Sequence, residues 1–288
     1  MSKDDKNKVN TTGHEWDGIE EYNNPLPRWW VWIFYATIIW GIGYTIAYPA
    51  WPLVKEATPG LLGFSTRANV QAEIERFDGM NAEVKAELAS ADLTTLADNE
   101  EIYSYAIQSG RATFATFCSQ CHGSGAAGAK GYPNLLDNDW IWGGDIEEIA
   151  YTIRHGIRNE DDFDARWSEM PAFGDDYLSD EEITNVVAYV RSLSGLENDM
   201  GDVTAGEEVY LDNCASCHMD DGTGDRMQGA PNLTDAIWLF GSSFAEVEHS
   251  VRVGPFGVMP AWGEEGVGLD DAVINGVAAY VHQLGGGE

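Results

Sequence analysis

The pentapeptides CSQCH (Cys118–His122) and CASCH (Cys214–His218) contain all four cysteines of this 288-residue chain. A Cys-x-x-Cys pair can be a redox dithiol, half of a zinc site, or the attachment point of a c-type haem. The histidine directly after the second cysteine separates these readings. Two thiols three positions apart on one helical turn can each add to a vinyl group of one porphyrin, and the adjacent imidazole then faces the iron from the proximal side. A thioredoxin-like dithiol needs no such histidine and accompanies a parallel-sheet pattern, which is absent here. Zinc would require both pairs to converge on one ion, leaving two histidines unexplained. The sequence therefore predicts two covalently bound haem c groups. Cys118 and Cys121 would carry one, Cys214 and Cys217 the other, with His122 and His218 as proximal iron ligands.

The flanking residues repeat in the same register. Gly110 and Phe114 precede Cys118 by eight and four positions, as Gly206 and Tyr210 precede Cys214. PNLLDNDWIWGG from Pro133 answers PNLTDAIWLFGS from Pro231, placing Trp140 and Trp238 seven residues after each proline. Arg154 and Arg252 follow, each with a glycine two positions on (Gly156, Gly254), then MPAF at Met170 and MPAW at Met259. Such a repeat is duplication of a whole folding unit. Between Arg154 and Met170 the first copy has nine extra residues, in the acidic stretch RNEDDFDARWSEM, which reads as a surface loop.

Each copy reads as helical. Start signals are Thr204 with Glu207, Asp145 with Glu148, Ser243 with Glu246, and Ser179 with Glu182. Ile183, Val186, Val187 and Val190 then follow at helical spacing. The predicted fold class is all-α: a single N-terminal transmembrane helix followed by two tandem cytochrome c-like helical domains. The expected segments are a 1–28 tail, a 29–54 span, a 55–100 helical spacer, and cytochrome c domains at 101–197 and 200–288.

Of seven methionines, Met170 and Met259 are duplicated, each followed by Pro-Ala, and they are the expected distal iron ligands. A thioether is soft and favours ferrous iron. Met1, Met80, Met200, Met219 and Met227 have no matching counterpart or lie in the wrong segment. His155, His249 and His282 are likewise unduplicated. Independent folding units would each use their own methionine, whereas an exchanged pair fits if the lobes pack face to face; the pattern leaves both open. Trp140, Trp238, Arg154 and Arg252 are candidate contacts to haem propionates.

The run WWVWIFYATIIWGIGYTIAYPAWPLV, Trp29 to Val54, has no charged residue and is long enough to cross a bilayer, for which about 20 residues suffice. Aromatic residues stand at both ends. Lys3, Lys6, Lys8 and Arg28 precede it and favour a cytoplasmic N-terminus. Haem attachment needs reduced thiols and a dedicated assembly system outside the bacterial inner membrane, so the bulk of the chain is expected in the periplasm. With 48 acidic against 16 basic residues and a net charge of −32, nucleic-acid binding is excluded as an expectation. The acidity fits either a cationic protein partner or a solvated surface suited to high salt.

With span, spacer and two lobes in place, the chain resembles the diheme subunit of cbb3-type cytochrome c oxidases. HEWDGIEEYNNPLPRWW and GYTIAYPAWP are similar to that family's segments before and at the end of its membrane helix. The tandem CHG…PNL…MPAF and CHM…PNL…MPAW match its two lobes. Met219 stands where the family usually has glycine after the second haem motif. The resemblance implies relay of electrons from a donor cytochrome c to a monohaem cytochrome c subunit, and onward to the haem-copper catalytic subunit that reduces oxygen in a proton-pumping complex. It implies Cys118, Cys121, His122, Met170, Cys214, Cys217, His218 and Met259 as haem residues, and membrane lipid as a further partner. No residue of this chain is expected to convert a substrate. The alternatives are a diheme carrier of another respiratory complex, a dehydrogenase or nitric oxide reductase, and a haem enzyme or gas sensor with an open iron.

Overall fold

The computed structural model describes residues 10–198, 200–263 and 266–288. Met1, Lys3, Lys6 and Lys8 lie outside these residues. The chain divides into two units, 1–80 and 81–288, with the boundary inside one helix, and each is taken by itself.

In the first unit, β1 (Thr11–Trp16) and β2 (Ile19–Tyr22) form an antiparallel hairpin with Trp16 opposite Ile19. The two-residue turn is Asp17-Gly18, with φ of 49° and 84°. This is the positive-φ dipeptide that two-residue hairpins favour. The all-helical expectation lacks this hairpin, although its signal, Asp-Gly between Trp16 and Ile19, is in the sequence. Helix α1 (Arg28–Ala47) follows, with no buried side chain among its 20 residues. At 1.5 Å per residue it spans about 30 Å, the thickness of a hydrocarbon core. The apolar run extends seven residues past Ala47, but Pro49 and Pro52 cannot continue a helix. The chain instead folds back, with Leu61 and Leu62 amides donating to the Ile46 and Ala47 carbonyls.

Helix α2 (Thr66–Ala89) carries the unit boundary. Its last turn belongs to the second unit, where buried Leu88 and Leu96 pack against Ala272 and Ala279. Asn275, buried, donates from Nδ2 to the Leu88 carbonyl at 3.0 Å.

The rest of the second unit consists of α3 (Glu100–Thr113), α4 (Ser119–His122), α5 (Ile146–His155), α6 (Asp180–Leu193), α7 (Val203–Asn213), α8 (Ala215–His218), α9 (Phe244–Val253) and α10 (Asp271–His282). Asp145 caps α5, Ser179 and Glu182 form a capping box on α6, and the Glu246 carboxylate accepts from the Ser243 amide at the start of α9. The expected Thr204/Glu207 start is corrected. Asp202, two residues earlier, caps α7, its carboxylate accepting from the Thr204 and Ala205 amides at 2.9 and 3.3 Å. A carboxylate competes well for these unpaired donors and also faces the positive end of the helix. Asp202→Ala is expected to lower the unfolding free energy by about 1 kcal/mol, read as a shift in the chemical-denaturation midpoint with an unchanged slope.

The helices pair across the repeat. α3 crosses α10, and α7 crosses α6. Gly110 sits so close to the Gly276 carbonyl that a Cβ would overlap it, and Gly206 meets the Asn185 carbonyl in the same way. One turn on, Phe114 packs on Tyr280 at 5.5 Å and Tyr210 on Tyr189 at 5.2 Å. The small residue lets two backbones approach, and the aromatic then locks the crossing. The α6 residues Ile183, Val186 and Val187 are fully buried in the core cluster that also holds Phe173, Phe244 and Val251, each contributing about 1.5–3 kcal/mol.

Candidate functional site

α3 does not run straight into the first pentapeptide. A π-helical turn, Phe114–Cys118, widens the backbone before α4. Wide turns of this kind recur at functional positions because they redirect a side chain without ending the helix. All four cysteines are free thiols. His122 Nδ1 lies 3.0 Å from the Pro133 carbonyl oxygen, and His218 Nδ1 lies 3.1 Å from that of Pro231. A carbonyl only accepts, so Nδ1 carries the proton and Nε2 keeps its lone pair. The duplicated prolines thus fix the tautomer that an iron ligand needs. Burial lowers the pKa of both imidazoles, partly offset by this hydrogen bond, which favours the neutral, ligating form. The second turn is also held by the Tyr210 hydroxyl, which donates to the Met219 carbonyl at 2.8 Å. Met219 has φ 64° where Gly123 of the first copy has 78°, so the side chain occupies a conformation that glycine would take without strain.

The two methionines lie in exchanged positions. Met259 packs in the core that contains Cys118, Leu135, Trp140, Phe114 and Ile153. Met170 packs in the core that contains Cys214, Leu233, Trp238, Tyr210 and Val251. Independent lobes had pointed to own-copy pairing; the packing follows the exchanged alternative. Backbone bonds fix it symmetrically. Trp262 and Gly263 amides donate to the Ile153 and Arg154 carbonyls, while Phe173 and Gly174 amides donate to Val251 and Arg252. Gly156 and Gly254 are the points of closest approach. A Cβ there would overlap the Met259 and Met170 carbonyls respectively, and both have positive φ, 74° and 63°.

The other candidates separate. Arg154 pairs with Asp271 at 2.8 Å, and Arg252 with Asp180 at 2.8 Å and Glu248 at 2.8 Å. Asp271 and Asp180 open α10 and α6, so these duplicated arginines tie each exchanged helix to its new host. The Trp140 indole donates to the Gly286 carbonyl. The Trp238 indole nitrogen is buried without a partner among the described residues. Among the histidines, His155 faces Asp162 at 2.9 Å and His282 faces the Glu288 carbonyl at 2.9 Å. Met80, Met200 and Met227 are exposed. The nine-residue insertion is more than a surface loop. Buried Asp162 holds His155, and Arg166 lies over Trp142 and Tyr151 and pairs with Glu148.

These residues fit a c-type haem. Each half offers two unpaired thiols on one turn, an imidazole with Nε2 free, and a thioether in the same apolar core. The second half adds an orphaned indole donor that a propionate would satisfy. That donor set defines the cytochrome c class of electron-transfer domain. Comparison with known sequences agrees. Residues 8–55 match the N-terminal domain of cytochrome oxidase-cbb3, FixP, and residues 106–190 and 201–281 match cytochrome C oxidase, cbb3-type, subunit III. The chain is 56% identical over 279 residues to the cbb3-type cytochrome c oxidase subunit CcoP of Cereibacter sphaeroides, covering 96% of this chain and 95% of that one. It is 50% identical to CcoP of Rhodobacter capsulatus (98% of each) and 48% identical to FixP of Sinorhizobium medicae (99% and 97%). The chain belongs to the CcoP/FixP subunit family of cbb3-type cytochrome c oxidases, and α1 fits the single membrane anchor of such a subunit.

Proposed function

We propose that this chain holds two haem c groups and relays electrons from a donor cytochrome c to the monohaem and haem-copper subunits of a cbb3-type oxidase. α1 crosses the inner membrane with the tail cytoplasmic and the cytochrome repeats periplasmic. Bound haem supplies a one-electron ferric/ferrous couple. The observation that carries the reading is a tautomer-fixed histidine next to a Cys-x-x-Cys pair whose core also holds a part-buried thioether, in both halves. Cys118, Cys121, His122 and Met259 would hold one group, and Cys214, Cys217, His218 and Met170 the other. The chain's own contribution is to keep both axial positions filled and to raise the reduction potential through sulfur ligation and burial. The Trp238 indole is available to a propionate; Trp140, Arg154 and Arg252 would have to give up their present partners.

The 8–55 match favours this reading over a carrier of a dehydrogenase or nitric oxide reductase, because it covers the segment that lies outside the haem repeats. Purification from solubilised membrane, with haem staining after denaturation and identification of the co-purifying subunits, tests it. Two haem equivalents per chain and recovery with the oxidase are expected; isolation with a dehydrogenase overturns it. The charge of −32 supports docking of a basic donor. Turnover with such a donor should fall steeply between low salt and about 0.15 M, where the screening length shrinks to about 8 Å. A flat response removes electrostatic docking.

A further inference from the structure

Ser168 and Gly257 each stand two residues before a methionine, Met170 and Met259. One side chain reaches both. Arg158 donates from Nε to the Gly257 carbonyl at 2.6 Å and from Nη1 to the Ser168 carbonyl at 2.9 Å. Its guanidinium lies over the Phe256 ring, 5.4 Å from the centroid. Phe256 is the position equivalent to Arg158 in the second repeat, two after Gly254 as Arg158 is two after Gly156. Arg158 therefore sits where the two copies meet their own counterparts, and a single arginine there serves both.

The backbone supports this placement. Ile157 exchanges two hydrogen bonds with Met259, both 3.0 Å, and the Arg158 amide donates to the Arg166 carbonyl at 2.8 Å. Arg158 itself has φ 50°, which a β-carbon disfavours. Strain of this kind persists where surrounding contacts over-determine it, and it concentrates at functional positions. Trp167 packs edge-on against the other side of the arrangement, 6.2 Å from Phe256. No equivalent arginine exists in the second repeat, so nothing duplicates the clamp.

We propose that Arg158 is a positioning residue for both distal thioethers at once. It couples the segment that carries Met170 to the segment that carries Met259. This rests on the axial reading above and adds to it that the two sites are not mechanically independent. A planar fork with two separate donors can span two carbonyls; a lysine ammonium on a flexible stem cannot hold both in fixed geometry.

The test uses the full-length chain in detergent, with carbon monoxide as the probe of an open ferrous iron. Single-haem backgrounds, Cys118→Ala/Cys121→Ala and Cys214→Ala/Cys217→Ala, resolve the two sites. Arg158→Gln should raise the carbon-monoxide-accessible fraction by about tenfold or more at both sites, the scale set by losing charge-assisted bonds. Arg158→Lys, which keeps charge and bulk, should raise it less at both. Arg76→Lys, which perturbs the exposed ion pair with Glu73 within α2, should leave both closed. If the Arg158 variants open only one site, or neither, the clamp is refuted. If Met170→Ala and Met259→Ala open no site, the axial assignment fails, and that failure is visible without any Arg158 variant.

Discussion

Met259→Ala is expected to convert one haem from six-coordinate low-spin to an open ferrous site binding about one equivalent of carbon monoxide per chain. The site opened is the one on Cys118 and Cys121, although Met259 belongs to the second repeat. Met259 packs with Cys118, Leu135 and Trp140, and the Met259 and Ile157 backbones are hydrogen-bonded in both directions. In a chain whose only haem is attached at Cys118 and Cys121, Met259→Ala should open it and Met170→Ala should not. With the only haem at Cys214 and Cys217, the two variants should exchange roles. The reverse assignment in both backgrounds would falsify the exchanged pairing while leaving the four axial residues correct. The truncation also removes part-buried side-chain volume, so a loss of about 2 kcal/mol in stability is expected beside the spectral change.

The second large effect concerns the helix crossings. Gly206→Val places carbon atoms where the Asn185 carbonyl already lies. Neither backbone has room to yield, because Tyr210 and Tyr189 lock the same crossing one turn away. A cost above about 3 kcal/mol is expected, at the upper end for overpacking. Since Met170 packs in the same core as α6, loosening this crossing should lower haem retention and open the site at Cys214. Gly41→Val on α1, where a Cβ meets nothing within 4 Å, is the comparison and should leave the cytochrome cores intact. Thermal unfolding of the two variants followed by haem absorbance distinguishes them; equal midpoints would remove the close-approach argument.

Much of this architecture is written in local pattern. Period and capping residues place α5, α6 and α9 because Asp145 and Ser179 satisfy amides that the helix itself leaves unpaired, and Glu246 accepts from the Ser243 amide. The Cys-x-x-Cys-His motif names the haem residues because its spacing lets two thiols and an imidazole on one turn meet a single porphyrin. The choice of partner was not legible, and duplication is the reason. Gly110 can cross a helix that presents either Gly276 or Asn185, and VVAYV and VAAYV offer almost the same surface. A pattern that appears twice specifies the kind of contact but not which copy supplies it. Connection length then matters. α6 and α7 are joined by 194–202, so their crossing closes a short loop. The duplicated arginines were legible as important, but their pairing with Asp271 and Asp180 was not. Ser179 marked the start of α6 but no signal was read for α10, and the reach of Asp180 and Asp271 to Arg252 and Arg154 depends on the exchange.

The α3–α10 crossing joins positions more than 150 residues apart, and this has a bearing on biogenesis. Under the proposed function, Cys118 would take up its porphyrin before Met259, the thioether that shares its core, has been synthesised. The earlier pigment would then wait, open on one side, while the later one could be completed at once by Met170, already synthesised. Interrupted synthesis would leave an open iron, and chain direction rather than affinity would set the order in which the two centres close.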